Sequence, residues 1–242
     1  MRLPQLAVVG IDCHIGSQLL DDAPLLEALD RLIELVDLLQ EDGIVIEHID
    51  LGGGLGIRYG NESAGTRPPA PADYLARVFA RIDAWRAARH GGKPIALMFE
   101  PGRSLVGKAG ILLTRVEVLK PGVTKNFAIV DAAMNDLMRP AMYQAWHDVV
   151  RVSAPDTVAA MNWDIVGPVC ESGDWLARDR RLALNEGDLL AFLSAGAYGM
   201  TMASNYNSRP RAVELLIDGA TVHVIRDREQ LAQLYAGEHI PG

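Results

Sequence analysis

Three apolar runs in the first hundred residues each stop at a cluster of glycines and polar side chains, and this repetition constrains the fold more than any other feature of the chain. Leu6–Asp12 runs into Cys13-His14-Ile15-Gly16-Ser17, Ile44–Leu51 into Gly52-Gly53-Gly54, and Pro94–Phe99 into Glu100-Pro101-Gly102-Arg103. Short continuous apolar runs suit strands buried on both faces. Between them, Asp22–Gln40 carries Leu25, Leu26, Leu29, Leu32, Ile33, Val36 and Leu39 at helical spacing, with Gly43 as a stop. After a loop at Pro68–Pro71, Ala72–Arg89 reads as a second helix ending near Gly91-Gly92. Strands alternating with helices predict a parallel sheet, doubly wound or part of a barrel. In both architectures chemistry collects at the carboxyl ends of the strands, so three such endings predict one shared site.

Beyond Gly110 the helical spacing fades. Ile111–Leu119, Phe127–Val130, Val149–Val152, Asp164–Val166, Asp188–Leu193, Arg211–Ile217 and Thr221–Ile225 read as strands separated by Gly, Pro and Asn turns. Short helices are expected around Asn135–Trp146 and Arg228–Tyr235. The chain therefore reads as α/β plus β, with an α/β part over residues 1–108 and a mostly β part over 109–242. A closed barrel of eight β/α units takes about 250 residues, whereas the first part supplies three units in about a hundred. Either it is a small open sheet, or the chain begins partway round a barrel.

Composition narrows the partners. A net charge of −8 over 242 residues disfavours nucleic acid. No apolar run reaches the roughly 20 residues that span a bilayer, and the N-terminus lacks a signal-peptide pattern, so no membrane partner is expected. Two cysteines, Cys13 and Cys170, are too few for a disulfide scaffold and fit a reducing cytoplasm.

The strand endings carry the candidate chemistry. A triple glycine lets backbone N–H groups approach a phosphate, although a flexible turn also explains it. His14 is compatible with a core histidine, a metal ligand or a ring stacked on a cofactor. No second His or Cys stands at metal-ligand spacing, so no metal is expected. Cys13 reads as a small buried residue. Glu100 beside Arg103 is either an ion pair, or a carboxylate for a pyridinium nitrogen beside a guanidinium for a carboxylate or phosphate. The β part adds Arg139-Pro140-Ala141-Met142-Tyr143, Gly167-Pro168-Val169-Cys170-Glu171-Ser172-Gly173-Asp174, Gly196-Ala197-Tyr198-Gly199 and Asn205-Tyr206-Asn207-Ser208-Arg209-Pro210-Arg211. A cysteine beside a glutamate in a glycine-flanked loop favours reactivity over packing.

Taken in order, His14-Ile15-Gly16-Ser17-Gln18, Leu51-Gly52-Gly53-Gly54, Glu100-Pro101-Gly102-Arg103, Arg139-Pro140 with Tyr143, and Cys170-Glu171-Ser172 with Asp174 resemble the fold-type III pyridoxal-phosphate decarboxylases, most closely the diaminopimelate-decarboxylating members. The resemblance implies an alanine racemase-like (β/α)8 barrel, of which residues 1–108 are the last three units, followed by the C-terminal β-domain. It implies pyridoxal 5'-phosphate as cofactor, decarboxylation of meso-2,6-diaminopimelate to L-lysine and CO2 as activity, and a homodimer with shared active sites. His14 would stack on the pyridine ring. Ser17, Gly52, Gly53, Gly54, Gly102 and Arg103 would surround the phosphate, and Glu100 would keep the pyridine nitrogen protonated. Tyr198 would reach the phosphate and substrate. Arg103, Arg139, Tyr143 and Glu171 would bind the distal amino acid end of the substrate, and Cys170 would donate the proton that replaces CO2.

One expected residue has no match. The family holds its cofactor on a lysine in a context like Tyr-Ala-x-Lys-Ala, whereas the lysines here are Lys93, Lys108, Lys120 and Lys125, in none of which that context recurs. Lys93 and Lys120, each before proline, read as solvated turn residues. The competing expectations are a fragment of a complete enzyme, a short protein acting as a catalytically inactive dimer partner, a complementary chain that supplies the rest, and another basic-amino-acid decarboxylase of the same fold.

Overall fold

The computed structural model describes Leu3 and residues 5–63, 66–88, 94–152 and 158–242. The turn expected at Gly91-Gly92, the end of the second helix at Arg89 and Lys93 lie outside the described residues. The chain forms two compact units, Met1–Arg58 with Glu62–Gly107, and Tyr59–Asn61 with Lys108–Gly242.

The first unit runs β1 (Gly10–Asp12), α1 (Ala23–Glu41), β2 (His48–Asp50), α2 (Pro71–Ala88), β3 (Ala96–Met98) and α3 (Gly102–Val106). Its strands form a parallel sheet in the order β1-β2-β3, with Gly10, His48 and Ala96 in one row, Ile11, Ile49 and Leu97 in the next, and Asp12, Asp50 and Met98 in a third. Side chains alternate faces along a strand, so the middle row points to one side and the other two to the opposite side. Ile49 is fully buried in a core with Leu25, Leu26, Leu29, Leu32 and Val36 of α1 and Tyr74, Val78 and Ile82 of α2; Ile11 and Leu97 pack against it.

Helix α1 stops where Gly43 adopts φ +81°, with the Gly43 N–H bonded to the Gln40 carbonyl at 3.0 Å and the Ile44 N–H to the Leu39 carbonyl at 2.9 Å. That pair of bonds satisfies carbonyls the helix end would otherwise leave open. The two helices are tied by polar contacts one turn apart on α2: Arg77 to Asp22, Arg81 to Asp30, and Trp85 Nε1 to Asp37 Oδ1 at 3.1 Å.

Burial on both sheet faces, expected from the apolar runs, does not hold. Val8 and Met98 are exposed, because the two helices cover the Ile11–Ile49–Leu97 side alone. The strands are three residues each, shorter than their apolar runs.

The second unit runs β4 (Leu112–Lys120), β5 (Phe127–Val130), α4 (Arg139–Tyr143), β6 (Val149–Arg151), β7 (Met161–Val166), β8 (Trp175–Leu182), β9 (Leu189–Phe192), β10 (Glu214–Asp218), β11 (Thr221–Arg226) and α5 (Leu231–Leu234). Six strands make a mixed sheet in the order β6-β9-β4-β5-β7-β8, in which the β5–β7 pair is parallel and the rest antiparallel. Its outer strands β6 and β8 approach each other, so the sheet is nearly closed. Val116, Val130, Trp163, Ile165, Leu176, Leu190 and Phe192 fill its core.

Strand β8 and helix α3 are absent from the sequence reading. Arg178, Asp179, Arg180 and Arg181 hide the apolar pair Leu176-Ala177 of β8, and α3 begins within a Pro-Gly pair that reads as loop. The β10–β11 hairpin is a separate two-stranded sheet exposed over nearly all its length. Ile165 has no solvent exposure. Its replacement by alanine is expected to destabilise the sheet by about 2–5 kcal/mol in urea unfolding, whereas Val123→Ala, fully exposed, should change stability by less than ~0.5 kcal/mol.

Candidate active site

In the first unit, two further residues along each strand bring His14, the glycine turn and Glu100 to the same end of the sheet. Backbone bonds continue the register past the strands: Cys13 N–H to the Asp50 carbonyl at 3.1 Å, Leu51 N–H to the Met98 carbonyl at 3.0 Å, and Glu100 N–H to the Gly52 carbonyl at 2.8 Å. Cys13 is half-buried against the core, in keeping with a packing role. His14 and Glu100 are exposed.

The glycines have separate reasons. Gly52 has φ +61° and Gly54 has φ +102°, both in the left-handed region that glycine enters without strain. A Cβ on Gly53 would collide with the Glu100 carbonyl oxygen. The Gly52 N–H is held by Asp50 Oδ1 at 2.8 Å, and the Gly53 N–H makes a long 3.4 Å contact to His14 Nδ1. Gly52 thus splices the turn to the sheet, leaving Gly53 and Gly54 as the glycines nearest the edge. Arg103, buried on α3, donates from Nη2 to Ser17 Oγ at 2.8 Å. The intervening loop is closed by Gln18, whose side chain pairs with both the carbonyl (2.5 Å) and the N–H (3.2 Å) of Ile57. Around Gly102 there is open space, so no packing demands a glycine there.

In the second unit, the loop after β7 carries Cys170 and Glu171, both exposed. Buried Asp174 organises it. Its Oδ2 accepts from the Val169 N–H at 2.8 Å and its Oδ1 from the Met134 N–H at 2.7 Å, while a Cβ on Gly167 would run into the same carboxylate. Glu171 Oε1 accepts from the Gly173 N–H at 2.9 Å and Oε2 from the Tyr206 hydroxyl at 3.2 Å. The bond to Glu171 holds the Tyr206 phenol above its usual pKa, since loss of its proton would set two anions together. Nearby Asp136 is also raised, chiefly by burial.

Arg139 is buried. Its Nη1 bonds His147 Nε2 at 2.9 Å and its guanidinium lies 4.6 Å from the centre of the Tyr59 ring. His147 Nδ1 bonds the Leu193 carbonyl at 2.9 Å, which requires the proton on Nδ1 and leaves Nε2 as acceptor for Arg139. Tyr143, on the same short helix, is exposed, and so is Tyr198, whose φ of +58° is unusual for a non-glycine residue. Neighbouring Arg180 is lowered to about 10 by burial.

His14, Ser17, Gly52–Gly54, Glu100 and Arg103 therefore share one edge of the first unit, and the Cys170-Glu171 loop is a braced feature of the second. The sequence reading missed Asp50, His147, Tyr59 and the Tyr206 contact. Asp50 had a legible signal, a carboxylate two residues before the glycine that its side chain caps; a lone His between Trp146 and Asp148 has none. Among the described residues no group of three or more His, Cys, Asp or Glu side chains could hold a metal ion.

A three-stranded parallel β/α sheet, followed by a mixed six-stranded sheet carrying a Cys-Glu loop, defines the class: an α/β unit and a sheet domain. The chain belongs to the pyridoxal-dependent decarboxylases, matching the model of that family's C-terminal sheet domain over residues 44–196. It is similar to the diaminopimelate decarboxylase of Pseudomonas fluorescens, at 56% identity over 99% of this chain and 54% of that protein. Among solved structures it resembles AQ1208 from Aquifex aeolicus, with TM-score 0.88 and 43% identity over 98% of this chain and 56% of that one. It also resembles diaminopimelate decarboxylase from M. jannaschii in co-complex with L-lysine, with TM-score 0.88 and 39% identity over 97% of this chain and 52% of that one. The chain spans about half the length of the relatives it matches.

Gly53→Ala is expected to lower stability by about 1–3 kcal/mol, since backbone rather than a flexible side chain must give way. Gly102→Ala, entering open space, should leave stability within ~0.5 kcal/mol. Thermal unfolding of the two variants distinguishes them.

Proposed function

We propose that this chain is the C-terminal half of a pyridoxal-phosphate-dependent decarboxylase that converts meso-diaminopimelate to L-lysine and CO2. The observation that carries the reading is the shared edge of the first unit, where a carboxylate (Glu100), a buried guanidinium on a serine hydroxyl (Arg103 and Ser17) and a glycine turn stand together. That donor set fits the cofactor: cationic and hydroxyl donors with a side-chain-free turn for its phosphate, and a carboxylate for its ring nitrogen. Identity of 56% to a curated diaminopimelate decarboxylase supports the substrate.

When bound, the cofactor supplies an electron sink for the pair left by departing CO2. The chain's own residues then have these tasks. Glu100 would keep the ring nitrogen protonated, His14 would stack on the ring, and Ser17, Gly53, Gly54, Gly102 and Arg103 would hold the phosphate, with Gly52 fixing the turn to the sheet. Arg103 and Tyr198 would each contribute to phosphate and substrate binding. Arg139 and Tyr143 take the distal carboxylate, Glu171 takes the distal ammonium, and Cys170 delivers a proton to the carbon that lost CO2. A remote end with both charges needs both Arg139 and Glu171; a simple diamine-forming decarboxylase needs an acidic contact alone, which ranks ornithine and arginine lower.

In this reading residues 1–108 are the last three β/α units of a barrel and residues 109–242 the sheet domain. The assembly is a homodimer in which one copy's Cys170-Glu171 loop serves the other's cofactor, and the cytoplasm is its compartment. The cofactor lysine comes from sequence outside these residues: Lys125 pairs with Asp164 at 2.7 Å, and Lys108 and Lys120 are exposed in contexts unlike the family's. Those lysine contexts also favour a second reading, an inactive partner that lends Cys170 and Glu171 to a complete homologue.

CO2 release from meso-diaminopimelate by the full-length pyridoxal-phosphate-loaded protein, with the lysine segment included, tests the first reading. Cys170→Ser is expected to lower kcat about 10²–10⁴-fold with KM little changed. Turnover of ornithine or arginine in place of diaminopimelate overturns the substrate assignment, and activity appearing only on addition of a complete homologue favours the second reading.

A further inference from the structure

The Asn205–Arg211 segment is a motif to which the proposed chemistry gives no task. In the structure it is a built turn. Asn207 and Ser208 both have positive φ, at +61° and +55°, a backbone arrangement that costs free energy unless its surroundings hold it. The surroundings do so. Asn205 Nδ2 bonds the Arg209 carbonyl at 3.1 Å and Glu229 Oε2 at 2.5 Å, and the same Glu229 oxygen accepts from the Arg211 N–H at 2.8 Å. Arg209 reaches across from Nε to Asn135 Oδ1 at 2.9 Å and from Nη2 to the Asp131 carbonyl at 2.6 Å. Asn135, with no solvent exposure, returns a bond from Nδ2 to the Ser204 carbonyl at 3.2 Å. The turn is therefore fixed on both sides, and what it presents is the Tyr206 hydroxyl, 3.2 Å from Glu171 Oε2.

Glu171 needs such a partner. It is exposed, and among the described residues its other oxygen is held by the N–H two residues ahead, a bond within its own loop. A second donor from a separately braced segment fixes the carboxylate plane. We propose that Tyr206 is a positioning residue that aims Glu171 at the distal ammonium of the substrate, which makes the Asn205–Arg211 turn a determinant of substrate selection. The inference rests on the reading of Glu171 given above.

The test uses the active pyridoxal-phosphate-loaded protein and three variants, Tyr206→Phe, Glu171→Gln and the double substitution. Tyr206→Phe removes one exposed hydroxyl and is expected to raise KM for meso-diaminopimelate about tenfold, the factor that corresponds to about 1.4 kcal/mol, with kcat unchanged within about twofold. The double variant should be no worse than Glu171→Gln alone, because the hydroxyl acts through that carboxylate. Spectrophotometric titration without substrate gives a separate readout: in Glu171→Gln one tyrosine should ionise at lower pH than in the parent, and that change should be absent in the double variant. If Glu171→Gln raises KM while Tyr206→Phe does not, or if the two effects multiply, the positioning role is overturned. If Glu171→Gln itself leaves KM unchanged, the reading of Glu171 as the ammonium partner fails, whatever the tyrosine titration gives.

Discussion

The parallel register of three short strands is the constraint on which the first unit depends. Gly10, His48 and Ala96 stand in one row, so the residues two steps further align as Asp12, Asp50 and Met98, and His14, Gly52 and Glu100 follow at the edge. A slip of one residue in any strand would send its side chains to the opposite face. Ile11, Ile49 and Leu97 on the helix side oppose such a slip, since each would leave the core that α1 and α2 close. Packing on one face thereby fixes which polar groups meet at the end of the sheet.

The second unit uses a different device. Its loops are long and polar, and buried polar side chains hold them in place of an apolar core. Asp174 spans from the Val169 N–H to the Met134 N–H, Asn135 links to Ser204 and Arg209, and His147 joins Leu193 to Arg139. Each of these groups is buried and bonded, the condition under which a polar group inside a fold does not cost stability. Networks of this kind make exposed residues such as Glu171 and Tyr206 ordered without burying them.

Much of the fold was legible. Helix α1 lies within one residue of its expected limits because leucine spacing and a glycine stop agree, and β5 matches because an apolar run is flanked by turns. The parallel strands were overextended, because an apolar run marks where a strand can lie and says nothing of where ladder bonds end. Strand β8 escaped because four charged residues interrupt its alternation. The strand-end residues were visible as motifs, and Ser17 and Arg103 do meet. The Arg139–His147–Tyr59 cluster was not visible, since its members come from separate segments whose contact depends on tertiary structure alone.

The central claim is that the edge formed by His14, Gly53-Gly54, Glu100 and Arg103 is built for pyridoxal phosphate. A crystal structure of the protein with that cofactor bound tests it most directly. The phosphate is expected among Ser17, Arg103 and the Gly53-Gly54 backbone, with the ring nitrogen on the Glu100 carboxylate. Cofactor bound away from this edge, or a ring nitrogen facing no carboxylate, would contradict it.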